Sequence, residues 1–257
     1  VSMTNSFLQL SGVTKIFGGI TAVNHLDINL PEGMIMGLIG PNGAGKTTVF
    51  NLISGVYKVS EGSILFNNQD ITHMKPDVIA GKGLVRTFQA NVLFREFTVM
   101  ENILMGCHLQ TTTGMFMDLF DFKAVRRSRE KIRGIAQDTL EFIGLTNLDD
   151  EFAKNLAHGH QRILGIGVAL AAKPKLLMLD EPVSGMNDEE KTEMMKLIQK
   201  IRGKGITVLL VEHDMRVVMG ICDRITVINF GTKIAEGTPD EVQNNEKVIE
   251  AYLGADK

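Results

Sequence analysis

The chain has 257 residues, enough to bury one good core with an attached subdomain, and its net charge of −3 excludes the global basic field that nucleic-acid binding calls for. Cys107 and Cys222 are far apart in sequence and lack a C-x-x-C spacing, so free thiols in a reducing cytosol are expected. No apolar run approaches the roughly 20 residues needed to span a bilayer, and no leader segment is read before Met3, so the chain is expected to be cytosolic and to meet a membrane only through a partner.

Residues 7–13 and 22–30 alternate apolar and polar side chains, as half-buried antiparallel strands do, with Phe17 expected in the loop between them. Residues 34–39 form a continuous apolar run, the mark of a strand buried on both faces. Gly40-Pro41-Asn42-Gly43-Ala44-Gly45-Lys46-Thr47 follows, and residues 48–53 read as a helix. A strand, a G-x-x-x-x-G-K-T loop and a helix together make a Walker A phosphate loop. Gly43 and Gly45 let the backbone curl so that the amides of Asn42, Gly43, Ala44, Gly45, Lys46, Thr47 and Thr48 face phosphate oxygens, and the positive end of the helix points the same way. Lys46 adds a cation, and the Thr47 hydroxyl suits Mg²⁺. The chain should therefore bind a nucleoside triphosphate.

Residues 63–66 add a strand to the small antiparallel sheet, and residues 83–87 form a short apolar strand leading to Phe88-Gln89. From about 90 to 161 the pattern turns helical, with Val125, Ile132, Ile135, Ala136, Leu140 and Ile143 recurring near a period of 3.6. Residues 111–122 read either as a short helix or as an apolar patch facing a partner, with core packing expected for most of their apolar side chains. The basic run from Arg126 to Lys131 is either a solvated face or a neighbour of anionic lipid headgroups. Asn155-Leu156-Ala157-His158-Gly159-His160-Gln161-Arg162 precedes an apolar helix.

Leu176-Leu177-Met178-Leu179 is a second buried strand, ending in Asp180-Glu181-Pro182. Ligands of open parallel sheets bind at this carboxyl end. Asp180 is expected to hold Mg²⁺ through water, and Glu181 to polarise the attacking water. Residues 188–202 form a helix closed by Gly203, residues 208–211 a strand running into Glu212-His213-Asp214, and residues 225–228 and 233–236 a pair of strands around Asn229-Phe230-Gly231.

The order Walker A, Phe88-Gln89, the Ala157–Gln161 signature, Asp180-Glu181 and His213 resembles the ATP-binding subunit of an ABC transporter, over nearly the whole chain from Phe7 to Leu253. Residues 84–104, the helical stretch of residues 105–150 and the alanine at 157 resemble the G-type ATPase subunit of branched-chain (hydrophobic) amino acid importers. The substrate class comes from that resemblance alone. It implies an α/β fold: a P-loop NTPase (RecA-like) core with an antiparallel β-subdomain and an inserted α-helical subdomain. The single ABC ATPase domain then divides into core and β-subdomain at about 5–89 and 163–237, helical subdomain at about 90–162 and a C-terminal helical tail at about 238–257.

The same resemblance implies ATP and Mg²⁺, with Phe17 stacking on adenine unless it is simply packed in the fold. Gln89 would sense and help ligate Mg²⁺ and feel the attacking water, while His213 would contact the γ-phosphate. Ala157, Gly159 and His160 would act on a nucleotide held by a second ATPase subunit, whether a copy or a paralogue. Two departures stand out: Ala157 lacks the usual serine hydroxyl, with His158 where glycine is more common, and Asn187 replaces the usual aspartate. A protonated His158 or His160 is a candidate to compensate for the first. Residues 90–105 would receive the permease, with Val92, Leu93, Phe94 and Phe97 as anchors and Arg95 and Glu96 as a polar rim, unless Leu93, Phe94 and Phe97 simply pack the helical subdomain. The subunit would then sit peripherally on the cytoplasmic face, serving a substrate-binding protein indirectly and no nucleic acid. The main alternative is a soluble ABC ATPase such as an iron–sulfur assembly component. A DNA-repair ATPase would carry a long coiled coil, and a non-hydrolysing regulator would not need Glu181.

Overall fold

A computed structural model describes residues 6–87, 93–107 and 122–253. The chain forms two compact units, one of residues up to 86, 175–181 and from 195 onward, the other of residues 87–174 and 182–194.

The first unit holds two sheets. Strands β1 (Ser6–Phe17), β2 (Ile20–Pro31), β4 (Glu61–Phe66) and β5 (Gln69–Asp70) form an antiparallel sheet in the order β2-β1-β4-β5. The other sheet contains β3 (Ile35–Ile39), β6 (Leu84–Arg86), β7 (Leu176–Asp180), β8 (Thr207–Val211), β9 (Arg224–Asn229) and β10 (Thr232–Gly237), in the order β10-β9-β3-β8-β7-β6. It is parallel except for β10, which pairs antiparallel to β9. Every residue of β3, β7 and β8 is buried, which is why these segments read as unbroken apolar runs rather than alternating ones. Helix α1 (Lys46–Ile53) packs between the sheets: Phe50 and Ile53 share one core with Leu8, Leu10, Leu26, Phe66, Met178 and Leu209. Helices α2 (Pro76–Gly81), α7 (Met215–Ile221), α8 (Pro239–Gln243) and α9 (Glu246–Leu253) also belong to this unit. Cys222 is buried there and its thiol is pushed up to about 12 by desolvation, which leaves it protonated and unreactive.

The second unit is helical: α3 (Val99–Gly106), α4 (Phe122–Ile143) and α5 (His158–Ala171), with short 3-10 turns between α4 and α5, and the start of α6 (Asp188–Gly203). The apolar stripe of α4 is buried through Ile135, Ala136, Leu140 and Ile143. A Cβ on Gly106 would lie 2.2 Å from the Val168 carbonyl oxygen, so α3 and α5 meet backbone to backbone, and Gly167 is capped by Ile103 and Ile143. This close packing assigns all of α5 to the helical unit, and the boundary expected between residues 162 and 163 falls inside that helix. Among the described residues no helix is long and apolar enough to cross a membrane.

Before α3, the buried Asn102 pins a loop. Its amide donates to the carbonyls of Phe94 and Thr98, and its oxygen accepts from the Phe94 amide. Thr98 and Glu101 cap the helix reciprocally. With its backbone fixed, the loop displays Phe94 and Phe97, stacked with centroids 5.2 Å apart and both exposed. Ala90 and Val92 and residues 111–121 lie outside the described residues.

Candidate functional site

The strand order sets the site. In the sequence of neighbours β3-β8-β7-β6, four parallel strands deliver at their carboxyl ends Gly40–Thr47, His213, Asp180-Glu181 and Arg86. Gln89, expected beside them, lies outside the described residues.

In the loop after β3, Gly43 has φ 77° and Gly45 φ 103°, conformations that suit glycine, and no side chain crowds the space a Gly43 Cβ would enter. Gly45 is the N-cap of α1 and supplies no side-chain cap, so the first amides of that helix are left for a ligand. Asn42, Gly43 and Thr47 are exposed, Thr48 is half-buried, and Ala44 is buried with its carbonyl accepting from the Gly231 amide at 2.9 Å. Lys46 folds back over the loop. Its Nζ donates to the carbonyls of Gly40 at 2.6 Å and Pro41 at 2.9 Å. Desolvation lowers its pKa, against the opposing pull of the Glu181 and Asp180 carboxylates. A strong acceptor offered to this amine would meet a cation already short of solvent.

Asp180 is buried, and its Oδ2 accepts from Arg86 Nη2 at 2.7 Å. Its Oδ1 is buried with no hydrogen-bond partner among the described residues. An orphaned carboxylate oxygen beside a phosphate loop is a natural metal-side ligand. Glu181 follows in a left-handed conformation (φ 49°) that costs a non-glycine residue free energy, while its amide continues the β7–β8 pairing by donating to the Val211 carbonyl at 2.9 Å. His213 Nδ1 lies 3.9 Å from Glu181 Oε1, with the histidine side chain 61% exposed. His213 is held from both sides: its amide donates to the buried Glu212 carboxylate, and Asp214 caps α7 by accepting from the amides of Arg216 and Val217. Arg86 and Glu212 were not singled out from the sequence. A charged residue at the carboxyl end of each of two otherwise apolar strands, β6 and β8, was the available signal.

Phe17 differs from expectation. It ends strand β1 instead of lying in a loop, because Gly18 and Gly19 make the turn by themselves. The ring is 41% exposed, edge-on to Tyr57 at 5.2 Å and with Lys15 Nζ 4.8 Å from its centroid. It is thus available for stacking and not consumed by core packing.

The signature residues belong to the helical unit. Ala157 is the N-cap of α5 and makes no side-chain cap; His158 and His160 are exposed, and Gly159 is buried against Glu190, whose Oε1 would lie 2.6 Å from an added Cβ. The His158 ring rests on Gly185. Asn187 turns its side chain onto the start of α6, where Oδ1 accepts from the amides of Glu189 and Glu190, and Glu190 accepts from the Asn187 amide. Asparagine in place of aspartate therefore leaves a good helix cap.

A buried parallel sheet with a glycine loop and a lysine at the end of β3 and two carboxylates at the end of β7, with β8 between them, defines a P-loop nucleotide-binding protein of α/β fold. The ABC transporter family profile matches residues 23–184, and that of the branched-chain amino acid ATP-binding cassette transporters matches residues 232–257. The chain is 46% identical over 253 residues to the high-affinity branched-chain amino acid transport ATP-binding protein LivG of Escherichia coli, covering 98% of this chain and 99% of that protein. It is 43% identical, with the same coverage, to the corresponding BraF protein of Pseudomonas aeruginosa. The crystal structure of a nucleotide-free ATP-binding cassette from an ABC transporter superposes with a TM-score of 0.84 at 33% identity, over 96% of this chain and 98% of that one. The ADP conformation of an ABC transporter cassette gives 0.85 at 33% identity, over 97% and 99%. The chain belongs to the ABC transporter family, as an ATP-binding cassette: an ATPase coupled to transport.

Proposed function

We propose that this cassette energises the import of branched-chain amino acids, working with a membrane permease and with a second cassette. The observation that carries the catalytic part is the convergence of Lys46, Asp180, Glu181 and His213 at the ends of β3, β7 and β8. The relatives' names carry the substrate class, and near-full-length identity supports its transfer. The soluble iron–sulfur alternative gains no support from them.

In this reading the amides of residues 42–48 and Lys46 hold the ATP phosphates, and Phe17 stacks on adenine. Thr47 and Asp180 would hold Mg²⁺, which the orphaned Oδ1 and the all-oxygen donor set suit, with Gln89 completing the set from outside the described residues. When bound, Mg²⁺ withdraws charge from the phosphate oxygens. Glu181 accepts a proton from the attacking water as its oxygen bonds to the γ-phosphorus and the bond to the bridging oxygen breaks, leaving ADP. His213 orients the γ-phosphate and the water beside Glu181. Functionally, the domain divides into core with β-subdomain, helical subdomain and C-terminal tail.

Ala157, Gly159 and His160 at the start of α5 act on the nucleotide of the second cassette, where the amides and helix dipole attract phosphate. A serine at 157 would add one hydrogen bond to a charged group, worth about 1.5–3 kcal/mol. Ala157→Ser is therefore expected to tighten ATP-dependent dimerisation, measured by sedimentation, or to raise turnover. It would also cap α5 and raise the melting temperature with or without ATP, so only the ATP-dependent part reports on the phosphate contact. No change in either, with His158 and His160 also replaced by alanine, would show that position 157 does not limit the dimer.

The permease docks on the loop displayed by Asn102. Phe94 and Phe97 are its apolar anchors, with Leu93 beside them, and Glu96, paired with Lys154, forms part of the polar rim with Arg95. Affinity capture from detergent-solubilised native membranes should retain a permease, and uptake of labelled leucine should depend on the cassette. Phe94→Glu should abolish both while the isolated subunit still binds ATP. Capture without any permease, or normal uptake by Phe94→Glu, would refute the assignment.

A further inference from the structure

Arg86, at the carboxyl end of β6, is buried with only 7% of its side chain exposed. Its guanidinium joins two elements. Nη2 donates to Asp180 Oδ2 at 2.7 Å, Nη1 donates to Asn51 Oδ1 at 2.6 Å, and the group lies 5.4 Å from the centroid of the Phe50 ring. Asn51 and Phe50 belong to α1, and Asn51 stands four residues after Thr47, on the same face one turn further along. A single planar fork thus connects the helix that carries Thr47 to the strand that carries Asp180. A lysine could not hold both partners in that geometry.

We propose that Arg86 is a positioning residue for the metal: by bridging Asn51 and Asp180 it fixes the separation of the Thr47 hydroxyl and the Asp180 carboxylate, and by engaging Oδ2 it leaves Oδ1 as the oxygen presented to Mg²⁺. The proposal rests on the Mg²⁺ site of the preceding reading and adds the device that prepares it. The burial pattern agrees: Asp180 has one oxygen paired with a buried cation and the other without a partner among the described residues. Partners of this kind orient ligands that would otherwise rotate, and their loss weakens metal binding about 10- to 100-fold.

A merely structural ion pair behaves differently. Removing one member of a buried pair leaves an uncompensated charge and weakens the fold whatever is bound. A positioning bridge affects the metal-linked part of nucleotide affinity. The test titrates a fluorescent ATP analogue into wild type, Arg86→Met, Arg86→Lys and Asn51→Ala, once with Mg²⁺ and once with EDTA, alongside the melting temperature of each. In Arg86→Met the Mg²⁺-dependent gain in affinity should fall about 10- to 100-fold, with affinity in EDTA unchanged. Asn51→Ala, which keeps the Asp180 ion pair, should show the same selective loss in smaller degree, and Arg86→Lys should lie between. If Arg86→Met does not fold, Asn51→Ala decides. A full Mg²⁺ gain in Asn51→Ala, or parallel losses in Mg²⁺ and EDTA that follow the melting temperature, would overturn the proposal. A wild-type protein that binds the analogue equally well in EDTA would remove the metal site itself, while leaving nucleotide binding intact.

Discussion

Glu181→Gln is expected to leave nucleotide affinity nearly unchanged and to lower steady-state ATP hydrolysis by about 10²- to 10⁴-fold, the range a positioned general base contributes. The substitution conserves shape and hydrogen-bonding length but removes the carboxylate assigned to take a proton from water. It is also locally mild. Glutamine is unbranched at Cβ, so it tolerates the left-handed backbone at φ 49° as well as glutamate does, and the amide hydrogen bond to Val211 is untouched. Lys46 loses one of the two carboxylates that favour its charged form, which shifts its pKa further down, the direction in which burial already takes it. Asp180 remains, so the lysine keeps a counter-charge and the phosphates keep their cation. Turnover and analogue binding measured on the same preparation separate the two effects. Hydrolysis near the wild-type rate would take Glu181 out of the base role and leave His213 as the next candidate.

The residues most readily seen in the sequence are those whose chemistry is tied to a strand end. β3 and β7 are buried on both faces, so their apolar runs stop abruptly where the functional loops begin, and the loops are marked by glycine, lysine and acid. His213 was visible for the same reason, at the end of β8. Arg86 was not. In a three-residue strand it looks like the polar end of an apolar run, and nothing local says that its partners lie 35 and 94 residues away. Phe17 was misplaced because two glycines make the whole turn and leave the aromatic on the strand. The boundary inside α5 was hidden because the helix is apolar throughout its second half and its allegiance is decided by backbone contact at Gly106 and by the Ile103 and Ile143 side chains over Gly167, which no periodicity announces. The sequence places Asn187 where aspartate is usual; in the fold its oxygen caps α6, a task that asparagine and aspartate perform alike.

Lys46→Ala should act on the other half of the reaction, weakening ATP binding itself by about ten- to a hundred-fold, since a charge-assisted hydrogen bond contributes about 1.5–3 kcal/mol. The geometry explains why the amine is available for this. Its present partners are two carbonyls of the loop it belongs to, neutral acceptors that a phosphate oxygen can outbid. Burial lowers its pKa, so the protonated form is held at a cost that a bound polyanion would remove. Truncation should disturb the ligand-free fold little, because opposing changes partly cancel. The desolvation cost of the ammonium disappears, while the Gly40 and Pro41 carbonyls lose a donor and the Asp180 and Glu181 carboxylates lose a neighbouring cation. Circular dichroism and the melting temperature of the ligand-free variant check that balance, and analogue titration checks the binding loss. A variant that stays folded and binds ATP with wild-type affinity would mean that the loop amides alone hold the phosphates and that the Lys46 charge serves turnover instead.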